Sequence, residues 1–310
     1  MVKKTIGQLR QEGIAFLTKR TDEGKSSIPS GVVSTTPVLD VDCILSFVAN
    51  VSRSYVLSHP EYELSNLQCE FFLKSIKQRK KGFPVAYIIG KKEFYGRNFF
   101  VTPDVLIPKA DTELLVEHSL LLAKEILLTK NSLRVADVCT GSGCIAISFA
   151  KELEKQIALT NVEIVATDIS EKALSISKKN AKNLNCSIRF FQGDLLEPLI
   201  EKGYKFNLLL TNPPYVPALV AKELLKDGRS EPFLALNGDC EGTIDGTGVI
   251  SRMISQFSCV LEKNSYVLIE AGEYNISKVA TLLSEYGFVE VRIFSDLAQM
   301  PRLVQAKWCN

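Results

Sequence analysis

The chain has 310 residues, of which 46% are hydrophobic and 23% are charged. This composition is ordinary for a globular protein with a real core, and the length suits one full α/β domain with a smaller partner. The formal net charge of +2 neither requires nor excludes nucleic acid, because such binding depends on a clustered basic face.

The cysteines and the hydropathy exclude several classes of protein. The eight cysteines form no C-x-x-C pair, and several lie inside apolar runs, so we expect reduced thiols without a disulfide framework or a metal site. The N-terminal residues lack the apolar core of a signal peptide, and no stretch reaches the length of a transmembrane span. We therefore expect a cytoplasmic monomer that binds no membrane and no nucleic acid stably.

Residues 1–82 are predicted to form a small helical domain. Apolar residues recur at helical spacing in three runs: 6–17, 41–51 and 65–76. Ser65 and Gln68 match a capping box at the start of the third helix, and Gly82 is a stop signal at its end. The cations in 77–81 fit the last turn of that helix, although a binding patch is the alternative. The Ser-, Gly- and Thr-rich segment 24–37 predicts a flexible loop.

In residues 83–107 the spacing of the apolar residues changes from the helical pattern to the alternation of a strand. Val85, Tyr87 and Ile89 alternate along the chain before Gly90 and Gly96, and this pattern predicts a β-hairpin linker.

From residue 108 onward, predicted strands and helices alternate. The strands are 133–139, 162–168, 187–193, 206–211, 265–271, 290–296 and 302–308, and the helices are 111–129, 144–156, 171–184, 247–262 and 275–286. Alternation of this kind predicts βαβ units around a mostly parallel sheet. The segment with Pro301 is too short for a helical crossover, so the last two strands should pair antiparallel. Together these features describe the Rossmann-like α/β sheet of class I methyltransferases.

The end of the first strand predicts a ligand-binding loop. Asp137 is followed by Gly141 and Gly143, and a helix begins directly after them. Glycines let the backbone approach a ligand, and the helix N-terminus offers free N–H groups. Alone, the pattern fits a tight turn equally well.

The next two strands also end in acidic residues. Asp168 lies where doubly wound folds place the carboxylate that binds ribose hydroxyls, although it also fits a cap of the helix near Ser170. Asp194 offers an acceptor for the exocyclic amine of an adenine, and Leu195 a wall for its ring. The full Gly-x-Gly-x-x-Gly fingerprint is absent, which argues against a dinucleotide oxidoreductase.

The fourth strand ends in Asn212-Pro213-Pro214-Tyr215. Prolines lack N–H groups, so this turn presents carbonyl acceptors without neighbouring donors, and the Asn212 oxygen adds another. These acceptors match a planar NH2 group, whose flat face can stack on Tyr215. The alternative is a proline-rich turn after a buried strand.

Methyl transfer to an amide nitrogen needs such acceptors. The nitrogen gains positive charge as it attacks a sulfonium methyl group, so acceptors aimed at its hydrogens stabilise the transition state more than the ground state. Each contact contributes roughly 2–3 kcal/mol, and in-line positioning contributes ~7 kcal/mol or more. The methylated amide is acidic enough to lose its proton to water, so we expect no catalytic base.

These motifs resemble the peptide chain release factor glutamine methyltransferase family, also called HemK or PrmC. Similar stretches are 83–90, 93–96, 105–116 and 231–236, besides the turn at Asn212. The resemblance implies methylation of the glutamine in the Gly-Gly-Gln motif of class 1 release factors, with the helical domain 1–82 helping to hold the release factor. It implies that residues 108–310 form the domain that uses S-adenosylmethionine.

The resemblance also assigns residues to the site. The cofactor-binding set is Cys139, Thr140, Gly141, Ser142, Gly143, Asp168, Asp194, Leu195 and Asn212. The catalytic and substrate-binding set is Asn212, Pro213, Pro214 and Tyr215.

The sequence departs from the family pattern at three motif positions, and its loop at 24–37 is also longer than usual. Cys139 replaces the first glycine of the loop, which should narrow the turn. Lys109-Ala110 replaces Arg-Pro, and lysine lacks the planar fork of arginine. Gln299 replaces a glycine near the C-terminus.

Three other functions share part of this pattern. A glutamine methyltransferase acting on a ribosomal protein uses identical chemistry. A DNA adenine methyltransferase also binds a planar NH2 group, but it flips its base and normally carries a basic recognition region, which this chain lacks. A cofactor-binding adaptor without activity is the non-enzyme alternative, and cofactor turnover distinguishes it.

Overall fold

The computed structural model describes residues 3–19, 34–156, 161–226, 228 and 230–310. Residues 24–33 of the predicted flexible loop lie outside this part of the chain. The chain forms two compact units, one of residues up to Lys91 with Lys222–Ser230, the other of Lys92–Ala221 and Glu231–Asn310. No helix in the described ranges is both long enough and apolar enough to cross a membrane.

The first unit is helical, as predicted. Its elements are β1 (Lys4–Thr5), α1 (Ile6–Thr18), α2 (Pro37–Ala49), α3 (Arg53–Ser58), β2 (Glu63–Leu64), α4 (Asn66–Lys80) and α5 (Val85–Ile89). Buried side chains from α1, α2 and α4 form its core, among them Leu9, Ile44, Leu45 and Phe72. Each fully buried side chain of this size contributes about 1.5–3 kcal/mol.

Capping boxes begin two of these helices. The predicted box is confirmed, because the Ser65 hydroxyl accepts from the Gln68 N–H and the Gln68 side chain accepts from the Ser65 N–H. Thr5 and Gln8 form the same motif before α1. Such caps contribute about 1 kcal/mol each.

The basic end of α4 also serves the fold. Arg79 donates from Nε to the Asp40 carboxylate over 2.6 Å, and Asp40 is buried at the start of α2. Gly82 takes a left-handed φ of 94° just after the helix, as a stop signal requires.

The strand-like alternation at 85–89 was misleading. These residues form the helix α5, which begins after Pro84 and ends at Gly90 with a left-handed φ of 70°. Val85 and Ile88 both pack on the core of the first unit, a spacing of three residues that a helix produces. The hairpin itself lies further on, with β3 at Lys91–Phe94 and β4 at Arg97–Phe100.

The second unit contains the predicted seven-stranded sheet. After a 3₁₀ turn at Ala110–Thr112, its elements are α6 (Glu113–Thr129), β5 (Leu133–Val138), α7 (Cys144–Glu154), β6 (Val162–Asp168), α8 (Glu171–Asn183), β7 (Arg189–Gln192), α9 (Glu197–Glu201), β8 (Phe206–Thr211), α10 (Ala218–Leu225), α11 (Phe233–Leu236), α12 (Gly248–Val260), β9 (Leu261–Glu270), α13 (Ile276–Glu285), β10 (Val289–Ser295) and β11 (Pro301–Trp308).

The strand order is β10-β11-β9-β8-β5-β6-β7. Strands β5 to β9 are parallel, whereas β11 is antiparallel to both of its neighbours, as predicted for the final pair. Because the central strands are parallel, the loops after β5, β6, β7, β8 and β9 all leave the sheet at one edge. In open α/β sheets this edge holds the ligand.

Apolar side chains cover both faces of the sheet. One face packs on α6 and α7 through residues such as Leu120 and Phe149, and the other packs on α12 and α13 through residues such as Phe257 and Val279. The strands β5 and β8 are buried along almost their entire length. This burial explains why most residues of both strands are apolar.

The departure at Gln299 leaves a strained residue in the β10–β11 loop. Gln299 is exposed and has a φ of 62°, a region that costs a non-glycine residue about 1–2 kcal/mol. Replacing Gln299 by glycine should raise the free energy of unfolding by about 0.5–1 kcal/mol, since part of the relief is offset by unfolded-state entropy. Urea denaturation measures the change. The neighbouring control, Ala298→Gly, should leave the free energy of unfolding unchanged or lower it. If both variants lowered the free energy of unfolding equally, Gln299 would not be strained.

Candidate active site

The buried side chain of Asp137 holds the loop after β5 in place. This carboxyl group is fully buried, and its Oδ2 accepts from the Thr140 hydroxyl over 2.6 Å and from the Ala146 N–H over 3.3 Å. Burial raises the pKa of Asp137 to about 7, and those two hydrogen bonds oppose the shift. Asp137 therefore ties the loop to the first turn of α7.

Three residues of this loop have left-handed backbones. Gly141 has a φ of 55° and Gly143 a φ of 80°, and a Cβ on Gly143 would lie 3.0 Å from Ile147 and 3.1 Å from Ser177. A Cβ on Gly141 would instead enter open space, so the backbone there is accessible to a ligand. Cys139 has a φ of 61° and forms the turn despite its side chain. Burial also raises the pKa of its thiol.

Asp168, at the end of β6, holds the same loop. Its Oδ2 accepts from the Gly141 N–H and its Oδ1 from the Ser170 N–H, both over 2.9 Å. The helix cap of α8 is the Ser170 hydroxyl, which accepts from the Ala173 N–H. The cap alternative for Asp168 was therefore wrong. Burial raises the pKa of Asp168.

Asp194 and Leu195 follow β7. The Asp194 Oδ2 accepts from Arg252 of α12 over 2.6 Å, and both residues border the same cleft. Leu195 is buried, and its carbonyl accepts from the Thr167 hydroxyl over 3.0 Å.

These strand ends border one cleft with a volume of about 310 Å³, within the roughly 300–1,000 Å³ of small-molecule sites. Most of the predicted residues line it: Cys139, Thr140, Gly141, Ser142, Asp168, Asp194, Leu195, Asn212 and Pro214. Gly143, Pro213 and Tyr215 do not line it. Gly143 packs behind the loop and Pro213 is buried. No group of three or more His, Cys, Asp or Glu among the described residues is arranged to hold a metal ion.

The turn after β8 presents Asn212 to the cleft. The Asn212 Nδ2 donates to the Thr112 hydroxyl oxygen over 3.1 Å, and its Oδ1 accepts no hydrogen bond from any residue that the structure describes. The Tyr215 hydroxyl points away and donates to Glu270 Oε1 over 3.4 Å. Burial raises the pKa of Tyr215.

Two glycines pack against the back of this turn. A Cβ on Gly246 would lie 2.1 Å from the Tyr215 carbonyl oxygen, and a Cβ on Gly238 would lie 2.7 Å from that of Pro214. The Tyr215 carbonyl also accepts from Asn275 over 2.9 Å. The turn is therefore fixed from behind by backbone contact.

Lys109 forms an ion pair across the rim of the cleft. Its Nζ lies 2.7 Å from the Glu231 carboxylate, which is almost fully buried. Ala110 begins the 3₁₀ turn that leads to Thr112. Lysine thus keeps the charge at this departure and makes a single contact, without the fork of an arginine.

Several lining residues were not predicted from the sequence. They include Thr112, Arg252 and Leu234, while Glu270 and Gly246 support the turn from behind. Glu270 does carry a signal, since it ends an apolar strand just as Asp168 does. Arg252 carries none, because its partner Asp194 is 58 residues away in the chain.

Comparison with known proteins places the chain among relatives. Residues 31–90 match the PrmC N-terminal domain, and residues 112–239 match the methyltransferase small domain. The release factor glutamine methyltransferase of Clostridium acetobutylicum is 36% identical over 270 residues, covering 86% of this chain and 90% of that protein. The protein of the same name from Bacillus subtilis is 34% identical over 267 residues, covering 86% and 89%.

A solved structure is also similar. It is the protein-(glutamine-N5) methyltransferase (release factor-specific) of Alicyclobacillus acidocaldarius, 28% identical, with a TM-score of 0.39 over 68% of this chain and 100% of that one. The sequence relatives match over nearly their whole length at more than 30% identity. The chain belongs to the release factor glutamine methyltransferase family.

Proposed function

We propose that this chain transfers a methyl group from S-adenosylmethionine to the side-chain amide nitrogen of the glutamine in the Gly-Gly-Gln motif of class 1 release factors. The observation that carries the proposal is the orientation of Asn212, whose Nδ2 is engaged by Thr112 and whose Oδ1 is left as an acceptor at the cleft. Membership of the family supports the choice of glutamine.

The cleft has the donors and acceptors that S-adenosylmethionine requires. Asp168 retains lone pairs for ribose hydroxyls, and Asp194 Oδ1 is available to an adenine amine beside Leu195. The backbone at Gly141 faces open space. When bound, the cofactor supplies the electrophilic methyl group, and the carboxylates at the strand ends favour its positive sulfonium.

The residues after β8 act on the substrate. We propose that Asn212 Oδ1 and the backbone carbonyls of Pro213 and Pro214 accept from the glutamine NH2 group. These contacts strengthen as the nitrogen becomes positive, so they favour the transition state over the bound substrate. Tyr215 supports the turn from behind, since its hydroxyl is held by Glu270.

Replacing Asp168 by alanine tests the cofactor site. The variant loses the acceptor for ribose and the contact that orients the Gly141 N–H, so the dissociation constant for S-adenosylmethionine should rise about 10- to 100-fold. Isothermal titration calorimetry measures it. Glu163→Ala is the matched control, because Glu163 lies at the opposite end of the same strand and pairs with Arg189. Equal constants for wild type and Asp168→Ala would contradict the assignment.

The helical first unit is proposed to help hold the release factor. Its helix α4 presents Leu67 and Phe71, whose side chains are 78% and 45% exposed, and Phe71 contacts Phe47 of α2. Exposed apolar groups of this kind favour protein contacts. An intact release factor should therefore have a much lower KM than a short Gly-Gly-Gln peptide.

The substrate is tested by offering alternatives together. Labelled S-adenosylmethionine is incubated with the protein, a purified class 1 release factor, ribosomal subunits and adenine-containing DNA. The proposal predicts label on the release factor. Label on a ribosomal protein alone would keep the chemistry and change the substrate, and label on none of them would favour an adaptor without activity.

A further inference from the structure

The segment that follows α11 runs beside the backbone that leaves the turn after β8. Val216 comes directly after this turn and forms a parallel bridge with Asn237. The N–H and the carbonyl of Val216 each form a hydrogen bond with the backbone of this segment over 2.9 Å. Asp239 follows two residues after Asn237, so it comes just where the paired backbone ends.

The Asp239 carboxylate joins two pieces of backbone around the turn. Its Oδ2 accepts from the N–H of Ala218, the first residue of α10, over 2.8 Å. Its Oδ1 accepts from the N–H of Gly246 over 2.6 Å. Ala218 lies just beyond the turn in the chain, whereas Gly246 packs behind the turn. We call this pair of hydrogen bonds the Asp239 clamp.

One end of the clamp is a glycine that packs tightly against the turn. The backbone of Gly246 approaches the Tyr215 carbonyl so closely that a Cβ would lie 2.1 Å from its oxygen. A Cβ on Gly238, next to Asp239, would lie 2.7 Å from the Pro214 carbonyl oxygen and 2.2 Å from that of Gly246. Backbone packed this closely transmits a displacement, because no gap absorbs it. A shift of Gly246 would therefore move the carbonyls of the turn.

A direct role toward the cofactor is the alternative for Asp239, because this residue also borders the cleft. Each oxygen of its carboxylate already accepts from a backbone N–H, however. Hydrogen bonds from N–H groups to a carboxylate are shorter and stronger than those between neutral groups. The two bonds therefore favour a role in holding the backbone.

We propose that Asp239 is a positioning residue for methyl transfer. Its carboxylate joins the backbone N–H groups of Ala218 and Gly246 and so holds the Pro214 and Tyr215 carbonyls in place. This inference rests on the proposed function, in which the Pro214 carbonyl accepts from the substrate amide. Asp239 acts through the turn and takes no part in the chemical step. Loss of the clamp should therefore slow transfer without weakening cofactor binding.

The first experiment breaks the clamp from either end. Asp239→Asn replaces one acceptor by an NH2 group, and Ala218→Pro removes one N–H while leaving the carboxylate unchanged. Proline is well tolerated at the first residue of a helix. Each variant should lower kcat for the release factor about 10- to 100-fold, because displacement of the turn disturbs the in-line geometry. The dissociation constant for S-adenosylmethionine should stay nearly unchanged, and the double variant should be no slower than the slower single variant.

A direct contact with the cofactor would give a different pattern. In that case Asp239→Asn would raise the dissociation constant for S-adenosylmethionine, and Ala218→Pro would transfer methyl at the wild-type rate. That pattern would overturn the proposal. A wild-type kcat in both variants would also overturn it, while leaving the proposed function intact.

Asp296→Asn is the matched control for Asp239→Asn. The Asp296 carboxylate also accepts from two backbone N–H groups, those of Ala298 over 2.8 Å and Met300 over 3.0 Å, in the β10–β11 loop. Its replacement should leave both kcat and cofactor affinity at their wild-type values. If Asp296→Asn lowered kcat as much as Asp239→Asn, the specific role of Asp239 would be refuted.

The second experiment observes the clamp without substrate. In protein labelled with ¹⁵N-glycine, the Gly246 amide resonance is assigned by its loss in Gly246→Ala. Asp239→Ala removes both acceptors, so hydrogen exchange of the Gly246 amide should become about 10-fold faster or more. An exchange rate equal to that of the wild type would overturn the proposal. If the wild type labelled no release factor, the proposed function would fail, and this exchange rate would still decide whether Asp239 holds Gly246.

Discussion

Replacing Asn212 by alanine should lower methyl transfer about 100-fold or more while leaving cofactor affinity nearly unchanged. The Asn212 oxygen is the one side-chain acceptor of the turn that the structure leaves available at the cleft. Its contact strengthens as charge develops on the glutamine nitrogen, so its loss raises the barrier more than it weakens binding. Single-turnover rates measure the barrier, and calorimetry measures the affinity.

Asn183→Ala provides the control for this variant. Asn183 ends α8 and is exposed, well separated in the fold from the turn after β8. Its replacement should leave both quantities unchanged. A near-normal transfer rate in Asn212→Ala would show that the acceptor mechanism is wrong, whatever the identity of the substrate.

Replacing Gly246 by alanine should also abolish most of the activity, although Gly246 does not line the cleft. The new Cβ would lie 2.1 Å from the Tyr215 carbonyl oxygen, and the φ of 77° disfavours any side chain. The turn must therefore move. Displacement by about 1 Å is enough to lower a rate about 100-fold, because transfer requires in-line geometry.

The variant Gly242→Ala distinguishes the effect of a steric clash from the effect of backbone strain. Gly242 has a similar φ of 83°, but a Cβ there meets nothing within 4 Å. This control should lose about 1–2 kcal/mol of stability and keep its transfer rate. If Gly246→Ala transferred methyl at the rate of Gly242→Ala, close packing behind the turn would not matter for activity.

The second unit could be predicted well because its signals are local and repeated. Apolar runs bounded by polar ends located the strands, and two of them, 162–168 and 206–211, agree with the structure at both ends. The first unit was harder. Short helices such as α3 and α5 have too few residues for a period to emerge, and in Val85–Ile89 packing on the core decided the outcome.

The residues of the candidate site likewise include some that local sequence signals predict and others that they do not. The residues that line the cleft come at the ends of successive strands, so the sequence alone was enough to predict Asp168, Asp194 and Asn212. The residues that support them come from distant positions. Thr112 meets Asn212 across 100 residues, and no local pattern indicates which threonine will do so. Tyr215 was predicted in the pocket, but its hydroxyl is tied to Glu270 and its side chain does not line the cleft.

The most direct test of the central claim maps the methyl group on the substrate. A purified class 1 release factor is incubated with this protein and S-adenosylmethionine, and the Gly-Gly-Gln peptide is analysed by tandem mass spectrometry. The same reaction is run with Asn212→Ala. We expect one methyl group on the glutamine side-chain amide with the wild type and almost none with the variant. Methylation at another residue, or equal methylation by both proteins, would contradict the proposed function.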